Sequence, residues 1–579
     1  MPARRRRPGA GRTRRLYATA WKGRGRGYTG AVPDEATDNG FPSAVEVDVD
    51  ALFAALRDGT PRIDAYAVES CDTAYIDGHY YAAKAPGLAL VTFPWYGALR
   101  VAGLAVDQAP RASRWPEAML ELPRRATWQV SIFGATLAAL LLLLLVRSAG
   151  EQLVPGYGAA AAVLLGLGSL VLPFSTLFFA HVLAATLGFA AFWLLLRDRL
   201  SAGSNRAVVV AAGVLAGLAI VVEFPLGIVA VALAAYGGIE RLAPYALGAI
   251  VGVVPLAAFN TWAFGSPFEL SYENAVIDPG ASGHDVVGAN DEGLFGLTVP
   301  SLRSAGELLA SDKGLLVLTP LAAAGVGGLI VLLRGAARRE AILALGVCAA
   351  FLLYNSAYYL PFGGWVPGPR FLIATLPFVA LGVAAALRAA PLTTAALAAP
   401  SVVAMVGATL AEPLAEPGRG AGLWLERWRD GSFADTIVTE AGGGNGWAAV
   451  APVLVLLAAA LGLAAWSLPR TTLGRRDLVL ALVALGAWVV LAHAGPDLLE
   501  LDRSVDQVTG LAAVVALLAV AVLAWVAAAR TGPAGAVGVL LLAALLAPGV
   551  SSHSKWALLV VLASGAIVAL SFTRMAQRT

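Results

Sequence analysis

Charged side chains are scarce in this sequence. Asp, Glu, Lys and Arg make up 14% of its 579 residues, whereas a typical soluble protein carries roughly 25% charged residues. Apolar residues make up 58%, and the mean hydropathy is +0.73. This composition excludes a soluble globular protein and predicts an all-α polytopic membrane protein, with the lipid bilayer as its first partner.

Cysteine and histidine are also rare. Cys71 lies in a polar loop and Cys348 in an apolar segment, so we expect neither a disulfide framework nor a cysteine zinc site. No two of the five histidines have the spacing of metal ligands on a helix. The net charge is only +3, and the arginines lie between apolar segments, where membrane topology explains them. No nucleic-acid partner is therefore expected.

Long apolar runs begin after Pro86, and a spanning helix needs ~20 such residues. The predicted segments are 87–106, 127–147, 156–173, 175–196, 207–222, 225–239, 243–264, 314–334, 340–360, 371–389, 391–411, 447–468, 477–494, 508–529, 533–549 and 555–573. The segment 156–173 is short, rich in Ala and Gly, and ends at Pro173. We interpret it as a half-helix or as a broken pair with 175–196.

Polar stretches divide the chain into parts. We distinguish a basic N-terminal segment 1–43, a first outer loop 44–86, a transmembrane module 87–411 with an outer loop 265–313, a further outer loop 412–446, and C-terminal helices in 447–579. Within the first loop, Ala44–Arg57 has the spacing of an amphipathic helix. The N-terminal segment is predicted to be a disordered basic tail or the product of a misplaced start.

The placement of Lys and Arg predicts the orientation. Arginines after several apolar segments belong on the cytoplasmic side of the plasma membrane by the positive-inside trend. The loops 265–313, 361–370, 412–446 and 494–507 then lie together on the outer face. With the loop before Pro86 also outside, we predict that residues 60–86, 265–313 and 361–370 face a common cavity.

The stretch from Asp72 to Gly87 combines two acids, a histidine, three tyrosines and a lysine beside an apolar segment. Carboxylate, imidazole and ammonium groups at a membrane surface suit acid–base catalysis and phosphate binding. A tyrosine-rich loop at the bilayer interface is the alternative, because aromatic residues collect there without any catalytic role. The residue types alone leave both interpretations open.

Other polar residues stand in or beside apolar segments, where charge is costly. We interpret His181 as a hydrogen-bonding residue in helix packing. Glu223 precedes Phe224-Pro225 at a break between two apolar runs, which favours a role in orienting a partner cation. Lys313 begins a segment at the outer face and is either an anchor at the interface or a ligand for an anionic headgroup.

Arg370 closes a stretch that is rich in aromatic residues, Gly and Pro, from Tyr358 through Trp365. Arginine binds phosphate in a bidentate manner. A positive charge on the outer side opposes the positive-inside trend. We therefore expect Arg370 to have an anionic partner.

These stretches together resemble the integral-membrane type C glycosyltransferases, in particular the group of protein O-mannosyltransferases and aminoarabinose transferases. The run Asp-Gly-His-Tyr-Tyr-x-x-Lys-Ala-Pro-Gly at 77–87 is similar to the family's first-loop motif. Gly293-Leu-Phe-Gly296, Lys313-Gly-Leu-Leu and Thr319-Pro320 are similar to its later outer loop, and Gly363-Gly-Trp-x-x-Gly-Pro-Arg370-Phe is similar to its turn with aromatic residues and an arginine. The similarity covers residues 40 to 380, roughly, in the expected order.

The resemblance implies a type C glycosyltransferase-like bundle with juxtamembrane helices in its outer loops, and sugar transfer with inversion from a polyprenyl-phosphate donor. A first-loop acid would be the general base on the acceptor hydroxyl, and cations, often with a divalent metal ion, would stabilise the phosphate. The candidate acids are Glu46 or Asp48 in the first position and Asp72 or Asp77 in the second. Asp48 is the predicted base, with Asp77 organising the loop or a metal ion. The phosphate ligands would be Lys84, Arg370 and Lys313, and the substrate contacts His79, Tyr80, Tyr81, Tyr272 and Trp365.

The sequence departs from the family pattern at one point. The family's first acid follows a first transmembrane helix directly, and no apolar run precedes Glu46. Two further functions remain open, a flippase for lipid carriers and a polymerase of lipid-linked glycans. Acids concentrated in the first outer loop favour the transferase over both. The sugar, hexose or pentose, and the acceptor, a glycan, lipid or protein, are not specified by the sequence.

Overall fold

The computed structural model describes residues 59–64, 73–104, 129–201, 205–274, 296–364, 366–414, 421–434, 439, 444–470 and 474–499. All of them belong to one compact unit, Pro42–Thr579. Several predicted features lie outside these residues: the basic N-terminal segment, the amphipathic helix Ala44–Arg57, and the apolar segments 508–529, 533–549 and 555–573.

A β-hairpin contains both strands of the described residues. Strand β1 (Thr73–Ile76) pairs antiparallel with β2 (His79–Ala82), with Ile76 opposite His79. The two connecting residues both have positive φ, 51° at Asp77 and 89° at Gly78, as a type I′ turn requires. The hairpin adds two short strands to a chain that was predicted to be helical throughout, and it replaces the loop expected there.

Helices make up nearly all the rest of the described chain. In chain order they are α1 (Gly87–Val101), α2 (Leu137–Leu153), α3 (Gly158–Leu167), α4 (Val171–Phe174), α5 (Ala180–Leu200), α6 (Arg206–Val222), α7 (Gly227–Gly237), α8 (Ile239–Phe264), α9 (Leu302–Ala310), α10 (Leu315–Leu318), α11 (Leu321–Leu332), α12 (Arg338–Ala357), α13 (Leu376–Ala389), α14 (Pro391–Ala411), α15 (Ala421–Asp430), α16 (Trp447–Ser467) and α17 (Arg475–Leu499).

Within the described residues, seven helices are long and apolar enough to cross a membrane. They are α2 with the turn before it, α5, α8, α12, α13 with the 3₁₀ turn Arg370–Thr375 before it, α14 and α16. This finding confirms the predicted class, a polytopic α-helical membrane protein. The short helices α9 and α15 lie in the loops 265–313 and 412–446, where juxtamembrane helices were expected.

Three predicted segments are broken or short. The half-helix prediction for 156–173 is confirmed, because α3 ends at Leu167 and the four-residue α4 follows it. Between α6 and α7 the chain makes a 3₁₀ turn, Phe224–Leu226. The segment 314–334 is not the single run that was predicted. Pro320 begins α11, and the helices on its two sides are bent by 88°, because proline disrupts the hydrogen bonds of a continuing helix.

Close backbone contacts hold the bundle together. A Cβ atom on Gly217 of α6 would lie 2.4 Å from the carbonyl oxygen of Ala249 in α8. A Cβ atom on Gly328 of α11 would lie even closer to the backbone of Gly382 in α13. Glycine at such points lets membrane helices approach each other, and dispersion contacts between them then replace contacts with lipid. The helix α5 is two-thirds buried, and α13 with the turn before it is almost entirely buried.

Candidate functional site

A cavity of about 330 Å³ lies where several of these helices begin or end. Its polar lining residues are Lys84, His181, Glu223, Tyr272, Tyr354, Tyr358 and Arg370, and its other walls are apolar or aromatic. Lys84, Tyr272 and Arg370 come from the three loops that were predicted to face one cavity. Each of the three loops thus contributes to the cavity as predicted, whereas the side of the membrane on which they lie stays a prediction.

Arg370 is held by the turn that precedes it. Gly363 has a φ of +80°, and a Cβ atom there would lie 2.2 Å from the Arg370 Nε. The guanidinium carbon lies 5.4 Å from the ring centre of Phe179 and 5.1 Å from that of Phe371. The side chain is buried, and its Nε has no hydrogen-bond partner among the described residues. Among the described residues, two aromatic rings are thus the neighbours of this cation, and its Nε is available to an anion.

Lys84 lies between the hairpin and α1. The hydroxyl of Ser271 donates a hydrogen bond to the carbonyl of Ala83 over 3.3 Å, which joins this segment to the turn that carries Tyr272. At the start of α1, a Cβ atom on Gly87 would lie 2.5 Å from the carbonyl oxygen of Val221. Only glycine permits this approach. Lys84 is thereby placed beside the end of α6, where Glu223 follows.

Glu223 is directed away from its helix by a local break. The residue is extended, with φ −155° and ψ 115°, and Pro225 prevents α6 from continuing. Its Oε1 lies 2.6 Å from the Nδ1 of His181, in the first turn of α5. The sequence predicted a cationic partner for Glu223, and the structure supplies a histidine. His181 does form the expected hydrogen bond between helices, but its ring also lines the cavity.

Aromatic side chains surround both His181 and Arg370. The rings of Phe179 and Phe371 lie 5.8 Å and 5.6 Å from the ring of His181, centre to centre. On another wall, the hydroxyl groups of Tyr272 and Tyr358 are hydrogen-bonded to each other. Tyr358 stacks on Tyr354 with 6.1 Å between ring centres.

The wall formed by the tyrosines is also held by the end of the Gly-Leu-Phe-Gly motif at 293–296. Leu297 forms a β-bridge with Tyr358, and a Cβ atom on Gly296 would lie 2.6 Å from the ring of Tyr359. This close contact explains the last glycine of the Gly-Leu-Phe-Gly motif. The other three residues of the motif, 293–295, lie outside the described residues.

Several predicted site residues do not line the cavity. Asp77 is exposed at the tip of the hairpin. His79 is bound through Nδ1 to Asp64 over 2.8 Å, and the same carboxylate accepts a bond from the Tyr80 backbone nitrogen. Tyr81 is buried against Phe264.

The remaining predicted residues fall into two groups. Lys313 is buried in the turn after α9, and it is not among the residues that line the cavity. Glu46, Asp48, Asp72 and Trp365 lie outside the described residues, so their roles stay predictions. Sequence reasoning missed Tyr354 as a site residue; its signal is a tyrosine one turn before Tyr358, where α12 ends.

The described residues hold no group of three His, Cys, Asp or Glu side chains that could bind a metal ion. In the cavity itself, Glu223 and His181 are the two described side chains of metal-binding type. The candidate acids Glu46, Asp48 and Asp72 lie outside the described residues, so a divalent ion stays a prediction, and no chemical step is derived from one.

No protein-family model matches the sequence, and no curated protein matches it. Among solved structures, the chain is similar to ArnT from Cupriavidus metallidurans bound to undecaprenyl phosphate. The TM-score is 0.40 at 14% identity, and the alignment covers 98% of this chain and 79% of that protein. The apo state of the same ArnT gives a TM-score of 0.37 at 14% identity, with 94% and 75% covered. At such TM-scores the likeness says nothing about function. A function has to be inferred from the cavity itself.

Proposed function

We propose that this chain is a membrane glycosyltransferase that moves a sugar from a polyprenyl-phosphate donor to an acceptor. The observation that carries the proposal is the charge of the cavity. Two basic side chains, Lys84 and Arg370, face it, and Glu223 is the one carboxylate among its described lining residues. Since Glu223 is already bound to His181, the cavity favours an anionic ligand.

The groups around Lys84 and Arg370 indicate which kind of anion binds there. The cavity walls are mainly apolar and aromatic, and helices long enough to cross a membrane meet there. A phosphate attached to a hydrocarbon chain matches both features, because the phosphate meets the cations while its chain remains in the lipid. Arg370 supplies a planar guanidinium that can bind two phosphate oxygens at once.

The volume and the tyrosines support a sugar on that phosphate. A cavity of about 330 Å³ is at the lower end of the ~300–1,000 Å³ that small-molecule sites occupy. This volume suits the head of the donor without its tail. Tyr272, Tyr354 and Tyr358 offer ring faces for the sugar and hydroxyl groups for its hydrogen bonds.

The acceptor requires a base. Asp48 remains our proposed base, with Glu46 or Asp77 as the alternative in the first loop, since a carboxylate near the acceptor hydroxyl can take its proton. The resemblance at 77–87 and at 363–371 supports the transferase reaction, because Lys84 and Arg370 belong to those two motifs and share one cavity. The plasma membrane is the proposed location.

Transfer from a radiolabelled polyprenyl-phosphate sugar by the purified chain in lipid nanodiscs tests the proposal. We expect the label to leave the lipid in the wild type. Asp48→Asn should abolish turnover and retain donor binding, and Arg370→Ala should weaken donor binding. Arg206→Ala, which removes an exposed arginine at the start of α6, is the matched control. A chain that moves the donor across the bilayer with its sugar–phosphate bond intact is a flippase, and that outcome contradicts the proposal.

A further inference from the structure

His181 and Glu223 form a buried pair in the wall of the cavity. Phosphate binding by Lys84 and Arg370 does not explain why this pair is there. The Nδ1 of His181 lies 2.6 Å from Glu223 Oε1, and 8% of the histidine side chain and 15% of the glutamate side chain are exposed. With Nδ1 bonded to the carboxylate, the mobile proton of the ring belongs to Nε2. Within the described part of the chain, this second nitrogen has no hydrogen-bond partner. The ring lines the cavity.

The ring stands at the phosphate end of the cavity. His181 and Arg370 share two aromatic neighbours, Phe179 and Phe371. The His181 ring centre is 5.8 Å and 5.6 Å from those of the two phenylalanines, and the guanidinium carbon is 5.4 Å and 5.1 Å from them. An anion bound to Arg370 is therefore bound beside His181.

We propose that His181 donates a proton to the carrier phosphate as the sugar leaves it, and that Glu223 is the positioning residue that orients the imidazolium. This proposal rests on the proposed transferase function. The bond between the sugar C1 and the phosphate oxygen breaks, and its electron pair stays on that oxygen, which takes the Nε2 proton. The acceptor oxygen bonds to C1 from the opposite face. Its own proton passes to the first-loop base and, through water, returns to His181.

The chemistry suits a histidine. The second proton of a phosphate monoester has a pKa of about 6, close to that of imidazole at about 6.5. Proton transfer between such groups needs little driving force, which is the condition for effective general acid catalysis. Glu223 keeps the Nδ1 proton on the ring, so the proton that moves is the one on Nε2. The charged and titratable groups around the ring are Glu223 at the break after α6, Arg370 before α13, Lys84 before α1, Tyr272, and Tyr354 and Tyr358 at the end of α12.

The sharpest test compares two donors in one variant. In the first donor oxygen links C1 to phosphorus, and in the second sulfur replaces that oxygen. The sulfur leaves without a proton, so a missing proton donor matters little. His181→Gln keeps an N–H near the Nε2 position but cannot supply a proton. We expect its kcat on the oxygen donor to fall roughly 100-fold, the range of general acid–base effects, with donor KM changed less than tenfold, roughly. With the sulfur donor the loss should shrink to under about tenfold.

Because both donors are assayed on the same preparation, a lower folded fraction cancels from the comparison. An equal loss with both donors overturns the proposal. Glu223→Gln should move the alkaline limb of the kcat–pH profile to lower pH, since the imidazolium loses its negative neighbour. An unmoved limb overturns the positioning role. Thr186→Val, on a buried α5 residue that bonds Ala138 and Val182, is the packing control and should leave kcat unchanged.

The two proposals fail differently. A wild-type chain that neither binds nor cleaves the donor refutes the transferase function. A wild-type chain that transfers the sugar, together with a fully active His181→Gln variant, refutes only the role of His181.

Discussion

The two ends of α5 use charge in opposite ways. His181 and Arg199 stand at these ends, ~27 Å apart at the helical rise of 1.5 Å per residue. Near Arg199 both buried carboxylates have arginine partners. Arg241 lies 2.9 Å from Asp198, and the Glu340 carboxylate binds Arg199 and accepts a 2.6 Å hydrogen bond from Tyr236. Near His181, the buried Arg370 faces a cavity, and its Nε has no hydrogen-bond partner among the described residues.

This difference separates structural from functional charge. A buried ion pair whose members satisfy each other stabilises one arrangement of helices, and the loss of one partner is costly. A buried arginine supported mainly by aromatic rings does little for folding, because its desolvation is not offset by a carboxylate. We infer that such a cation binds a ligand.

Arg241→Ala should be the most damaging substitution to the fold. It leaves the Asp198 carboxylate, whose side chain is fully buried, without its arginine. Breaking a buried ion pair costs about 3–5 kcal/mol, and we expect the lower value because Arg241 is 23% exposed. Thermal unfolding in detergent measures the loss, with Arg206→Ala as the exposed control. An unchanged midpoint would show that this end of α5 is not a stabilising cluster.

Arg370→Ala should act on the ligand and spare the fold. The loss of a charge-assisted contact with phosphate, ~1.5–3 kcal/mol, corresponds to a donor affinity weaker by roughly 10- to 150-fold. The unfolding midpoint should stay the same or rise. Arg370→Lys keeps the charge without the bidentate geometry, so it should fall between the wild type and the alanine variant. Equilibrium binding of a polyprenyl-phosphate sugar decides, and unaltered affinity would leave Arg370 as an interfacial anchor only.

Most of the helices could be predicted from the sequence, because a spanning segment is identified by apolar length alone. The break at Glu223 was visible for the same reason, since Pro225 interrupts an apolar run. The 88° bend at Pro320 was missed, although Thr319-Pro320 was noticed as a motif. The residues on both sides of Pro320 are apolar, so hydropathy does not mark the change of direction there.

The candidate site was predicted less completely. Lys84, Arg370 and Tyr272 were assigned to it because each is polar or aromatic beside an apolar segment. The His181–Glu223 bond joins residues 42 positions apart, and such a contact depends on how α5 packs against the end of α6. The hairpin was missed despite a clear signal: Asp77-Gly78 stands between Tyr75-Ile76 and Tyr80-Tyr81, and Asp-Gly between such strand-forming residues is typical of a type I′ turn.

Gly363→Ala should have a smaller effect, and it should lower both the stability of the fold and the affinity for the donor. Gly363 and Gly364 both have positive φ, +80° and +103°. A Cβ atom on Gly363 meets Arg370, whereas one on Gly364 meets nothing within 4 Å. Each alanine adds backbone strain of about 1–3 kcal/mol, so Gly364→Ala is a matched control. Only Gly363→Ala should also displace the guanidinium and weaken donor binding, by about tenfold. Equal donor affinities in the two variants would contradict the role of this turn in holding Arg370.

Removing the charge of Asp77 should have the smallest effect on turnover. Substitutions at this position show whether Asp77 is a turn residue or a catalytic acid. Its φ of 51° lies in the left-handed region, which Asp and Asn adopt with little strain and β-branched residues do not. Asp77→Asn removes the charge and keeps the turn, so turnover should stay within about twofold of the wild type, a difference of ~0.4 kcal/mol. Asp77→Val keeps neither, and it should destabilise the hairpin by roughly 1–3 kcal/mol. Sugar transfer by the two variants is the measurement. A large loss with Asp77→Asn in a chain that still binds its donor would place Asp77 in the chemistry, as the sequence motif first indicated.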